Sequence, residues 1–141
     1  MTAPTRVFIA RLAGTPLFDP AGDQVGRVRD VVISLRLGTE EPRVLGLVVE
    51  VPGRRRIFVP MTRVTSIDAG QVITTGLVNM RRFQQRPAET LVLGEMLDRT
   101  VTVTEDGSLA VVEDVGMEQQ RTRDWEITRL FLHGVAKEGS C

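Results

Sequence analysis

Between Arg11 and Pro60 the apolar residues come in short runs, and turn chemistry cuts every one of them. Leu17-Phe18 gives way to Asp19-Pro20-Ala21-Gly22, which suits a type I turn with Pro second and Gly fourth. A run rich in Val and Ile extends from Gln24 to Leu35, and the polar loop Leu37–Pro42 ends it. Val44 to Val51 is nearly continuously apolar and reads as a central strand. Pro52-Gly53 turns the chain back into Ile57-Phe58-Val59, and Asp68-Ala69-Gly70 turns a further hairpin ending in Val72-Ile73. This is the grammar of a small antiparallel barrel. Gly26, inside a strand, implies a bulge or a close backbone approach.

The grammar returns after residue 90. Leu109, Val112, Asp114 and Val115 match Val25, Val28, Asp30 and Val31 at a constant offset of 84. Leu91-Val92-Leu93-Gly94 echoes the approach to Gly14, and Trp125 to His133 takes the part of Val44 to Val51. Nothing after Gly134 corresponds to Arg54–Thr74, because Val135–Cys141 is short and polar. The second unit is therefore expected to be incomplete, with a strand edge open to pairing. Leu77, Met80 and Phe83 recur every three residues before Pro87, which predicts a short connecting helix. The expected organisation is a tail (1–5), a first barrel (6–76), a helical connector (77–90), an incomplete second barrel (91–134) and a tail (135–141).

Lys+Arg and Asp+Glu both number 18, so no global field steers the chain toward nucleic acid or acidic lipid. The balance conceals a split. Residues 1–90 hold 13 Arg against 8 acids, and residues 91–141 hold 5 basic residues against 10 acids. Halves of opposite sign can dock on each other or on a second copy, or each can be a solvated surface. The single Cys, Cys141, excludes a disulfide framework within one copy, and a reducing, cytoplasmic compartment is expected. The N-terminus has no signal-peptide pattern, and no apolar run approaches the length of a membrane span.

No assembled acid, base and nucleophile can be read, so the chain is expected not to be an enzyme. Its one His, His133, has no His or Cys neighbour, and no Gly-x-Ser-x-Gly elbow surrounds its serines. Among the acids, Asp30, Asp114 and Glu118 are the candidate oxygen ligands for magnesium; the alternative is that they satisfy backbone or Arg groups. Arg54, Arg55 and Arg56 form a basic turn which, with Arg63, Arg81, Arg82 and Arg86, is a candidate phosphate or RNA site. None of the six aromatic residues is interleaved with it, as a stacking platform requires. Trp125 is either an interface anchor or the filling of the second core.

Leu12-x-Gly14, Val25-Gly26-x-Val28-x-Asp30-Val31, Val44-x-Gly46-Leu47-Val48-Val49 and Ile57-x-Val59-Pro60 together resemble the PRC-barrel. That is the small β-barrel shared by the photosynthetic reaction centre H subunit and the ribosome maturation factor RimM. More closely, Asp23–Val32 and Met117–Glu126 resemble the N-terminal region of actinobacterial MgtE-like proteins. In those, PRC-barrel segments precede a helical MgtE domain and CBS domains, which this sequence lacks. The expected fold is thus mainly β: two tandem PRC-barrel-like units, the second incomplete. The resemblance implies a non-catalytic interaction or regulatory module that docks on a protein partner, on downstream MgtE-like domains or on a second copy as a homodimer. The alternatives are a RimM-like ribosome or RNA adaptor acting through Arg54–Arg56 and a direct magnesium sensor.

Overall fold

The computed structural model describes residues 6–35, 41–68, 70–76, 78–103 and 106–134. The expected tails, most of the loop before Pro42, Leu77 and Cys141 lie outside them. The strands are β1 (Arg6–Phe8), β2 (Pro16–Phe18), β3 (Gln24–Ser34), β4 (Arg43–Val51), β5 (Arg55–Pro60), β6 (Val64–Asp68), β7 (Gln71–Thr74), β8 (Glu89–Leu91), β9 (Thr100–Thr102), β10 (Leu109–Gln119) and β11 (Trp125–Gly134). They form one curled, nearly closed sheet in the order β1-β10-β11-β4-β3-β2-β7-β6. To it β5 adds on β4, β8 on β3 and β9 on β10. All pairings are antiparallel except β2 with β7.

The apolar runs fill the barrel as their pattern demands. Val28, Val31, Ile33, Leu47, Val49, Ile57, Val59 and Val72 are fully buried. Each such side chain contributes about 1.5–3 kcal/mol by leaving water. The turn at Asp19–Gly22 forms as read: the Gly22 amide donates to the Asp19 carbonyl at 3.0 Å. Gly46 supplies a close approach, since a Cβ there would lie 2.4 Å from the Val59 carbonyl oxygen on β5.

The repeat is structural, and its irregularities repeat too. In β3 the register slips between Val28 and Asp30; in β10 it slips between Val112 and Asp114. A second slip skips Leu45 on β4 and Thr128 on β11. Gly14 donates to the Val28 carbonyl at 2.7 Å, and Asp98 donates to the Val112 carbonyl at 2.8 Å. Both donors have positive φ, +81° and +65°. The counterpart of Gly14 is therefore Asp98, not Gly94; the π turn Val92–Met96 is two residues longer than the 3-10 turn Ile9–Arg11 that follows β1.

The first strands of the two repeats are exchanged. β1 pairs with β10, with Phe8 opposite Gly116, and β8 pairs with β3, with Leu91 opposite Val32. A carboxylate on each long strand receives the turn that follows the visiting strand. Asp30 accepts the Leu93 amide at 2.7 Å, the Gly94 amide at 2.9 Å and its own neighbour Val31 at 2.8 Å. Asp114 accepts Ala10 at 2.9 Å and Val115 at 2.7 Å.

Residues 78–86 form no helix, contrary to the expected connector. Arg82 and Phe83 meet a strand edge instead. Arg82 bridges Ile57, the Phe83 amide donates to the Arg56 carbonyl at 2.7 Å, and Phe83 stacks on Phe58 with centroids 6.0 Å apart. The free edge of β5 competes for these backbone groups more effectively than an isolated turn of helix.

Asp30→Ala would leave three backbone N–H groups without their acceptor, two of them on the exchanged turn. Chemical denaturation should show a loss of about 3 kcal/mol, with Asp114→Ala costing less because it serves fewer donors at a more exposed place.

Candidate functional site

The residues singled out from the sequence fall into three places, and the structure adds a fourth. Asp30 is buried inside the exchange, and all its carboxylate contacts are backbone N–H groups. Asp114 does the same work in the second repeat. Glu118, also on β10, accepts from the Thr128 hydroxyl and lies 3.6 Å from Arg6 Nε and 4.0 Å from Arg129 Nε. The proposed magnesium ligands thus do not converge. Among the described residues no three His, Cys, Asp or Glu side chains group as a metal site would need. Backbone N–H groups contact Asp30 and Asp114, and a hydroxyl and two guanidinium groups contact Glu118.

The basic turn is exposed. Arg54 closes the β4–β5 turn at a φ of +59°, and Arg55 and Arg56 open β5. Glu50 on β4 sits between two arginines, 3.4 Å from Arg29 Nε and 3.6 Å from Arg56 Nε. Because residues 82–83 run along β5, Arg81 and Arg82 are carried to the same side of the barrel as Arg54–Arg56. This contact brings the two basic runs, 25 residues apart in sequence, near one another. Phe58 and Phe83 stack on each other beside them.

Trp125 is buried at the start of β11, opposite Val44, and belongs to the common core. Its outer side walls a cleft of about 710 Å³ at the seam of the repeats, lined also by Arg43, Thr62, Thr65, Thr75 and Asp124. Arg43 Nη2 meets Asp124 Oδ1 across this seam at 2.8 Å. With Arg6–Glu118, this pair joins the basic half to the acidic half.

The fourth place was not singled out. Leu130, Phe131 and Leu132 on β11 are 48, 41 and 41% exposed. The sequence signal for it was an apolar triplet on the second central strand.

Residues 4–77 match the family model for the PRC-barrel domain, more than half of the chain. The chain belongs to the PRC-barrel family. Its second part, residues 90–140, matches the model for the Actinomycetes SH3 domain. The second repeat, expected as a further PRC-barrel-like unit, is thus similar to another small β-barrel type. No curated protein matches the chain. The PRC-barrel match begins before β1, so it includes the strand that pairs with the SH3-like part.

Glu118 ties β1 to β10. The Thr128 hydroxyl, with Arg6 and Arg129 beside it, holds its carboxyl below the ordinary range, against partial desolvation. A depressed carboxylate binds its proton less readily folded than unfolded, so its contribution is present at neutral pH and disappears as pH falls through the folded value. Thermal unfolding of Glu118→Gln should therefore show a lower Tm than the parent at neutral pH. That difference should close below the ordinary carboxylate range.

Proposed function

We propose that this PRC-barrel protein is a non-catalytic docking module that holds a protein partner on its second repeat. The observation that supports this best is the exposed triplet Leu130–Leu132. Its counterparts in the first repeat, Leu47, Val48 and Val49, are at most 2% exposed. Contiguous exposed apolar residues on a strand edge mark interaction surfaces. The candidate acids, by contrast, serve to hold the repeats together. Docking on the remaining domains of an MgtE-like magnesium transport protein is the specific form suggested by the sequence resemblance. A photo-crosslinker placed at Leu132 should capture one defined protein, while the same group at Arg27, on the first repeat, should not. Equal capture at both positions would count against docking at the second repeat.

A second reading is favoured by the convergence of Arg54–Arg56 with Arg81 and Arg82: a surface for phosphate or RNA, as a RimM-like adaptor would need. If four of these arginines neutralise phosphates, binding to single-stranded RNA should weaken roughly 50-fold between about 50 and about 200 mM salt. Absence of binding at the lower salt would dispose of this reading.

A further inference from the structure

The internal repeat says what covers an edge like that of β11. Through the β4 and β11 bulges the central strands align with an offset of 83: Leu47 with Leu130, Val48 with Phe131, Val49 with Leu132 and Glu50 with His133. In the first repeat β5 lies antiparallel on β4, placing Val59 opposite Leu47, Ile57 opposite Val49 and Arg56 opposite Glu50. On β11 the corresponding edge pairs with β4 only at Trp125 and Glu126, followed by the Ile127 amide on the Pro42 carbonyl. Beyond Ile127 no described residue pairs with it.

The side chains around the two edges differ in charge. In the first repeat Arg29 and Arg56 flank Glu50. In the second, the counterpart of Arg29 is Glu113 and that of Glu50 is His133, with His133 Nδ1 lying 3.4 Å from Glu113 Oε1. An arginine in the place of Arg56 would face an imidazole. An acidic side chain there would set His133 between two carboxylates, where the first repeat sets Glu50 between two arginines.

From this we infer that the outer edge of β11 is a strand-addition site. Its occupant is an extended protein segment that runs antiparallel to β11, presents apolar residues at alternate positions to Leu130 and Leu132, and carries an acid opposite His133. The inference rests on the docking reading and specifies its chemistry.

The test uses the full chain and two synthetic peptides at about pH 6. One peptide is Arg-Arg-Ile-Phe-Val-Pro, the sequence of β5; the other replaces both arginines by Glu. The acidic peptide should bind more tightly and should slow hydrogen exchange at edge-facing amides between Arg129 and His133. Leu132→Glu, at an exposed position, should keep its Tm and weaken that binding roughly tenfold or more. Equal binding of the two peptides, or binding of neither, overturns the inference. So does an edge already protected in the free monomer, which the chain's own residues would then cover. A concentration-dependent dimer abolished by Leu132→Glu also overturns it, in favour of a second copy. Crosslinking at Leu132 to a defined protein despite failure of both peptides would leave the docking reading standing and remove the strand chemistry alone.

Discussion

Two of the three N–H groups bound by Asp30 come from 63 and 64 residues further along the chain, on the turn after β8. A carboxylate below the surface is costly unless donors replace the water it loses. Here the donors are supplied only if β8 lies on β3. Asp114 imposes the reciprocal condition, because its distant donor, Ala10, follows β1. Each repeat thus lacks a satisfied long strand until the other lends it a first strand. Folding of the two is coupled by hydrogen bonding as well as by the common core. The bulges beside these aspartates belong to the same device, since a slip of register re-aims the side chain that must meet the visiting turn.

Much of this architecture was legible. Turn chemistry at Asp19–Gly22 and the apolar run Val44–Val51 located strands directly, because such signals are local. The offset relating Asp30 to Asp114 disclosed the repeat, although it did not disclose that the first strands change places. Exchange and simple tandem arrangement use the same strands with the same patterns; only the donors reaching each aspartate distinguish them, and these lie far away in sequence. The connector shows the opposite failure. Leu77, Met80 and Phe83 have helical spacing, but a spacing says nothing about a neighbouring strand edge, and the edge of β5 takes Phe83 and Arg82. Site residues followed the same division. Trp125 packs into the common core and also lines a cleft. The acids that suited magnesium by type are held by backbone and guanidinium groups that type alone does not reveal.

The charge split also acquires a physical meaning. Arg6 and Arg43 come from the basic part of the chain and meet Glu118 and Asp124 in the acidic part, both at contacts between the repeats. These pairs are partly exposed, so each is worth at most about 1 kcal/mol. Their effect lies more in register: Arg6 faces Glu118 only when β1 has the observed alignment on β10. The arginines left over, Arg54–Arg56 with Arg81 and Arg82, gather beside β5, where Glu50 offsets part of their charge.

The repeats diverge after the central strand. The first continues into β5, β6 and β7, and β7 joins β2 in the parallel pair that helps close the barrel. The second presents Leu130, Phe131 and Leu132 to solvent, with Phe131 only partly covered by an edge-to-face contact to Phe8 at 5.2 Å. Proteins ordinarily guard such edges with charge, proline or a covering element. Here the flanking Arg129 and His133 are each beside a carboxylate, Glu118 and Glu113, which lessens their power to repel an approaching strand. An edge that keeps apolar residues in the positions of Leu47, Val48 and Val49, while changing the charges beside them, differs from an eroded repeat. Erosion would relax the apolar pattern first, since water rewards polar substitutions at exposed sites. Retention of that pattern together with altered charge is what accommodation of a different strand requires.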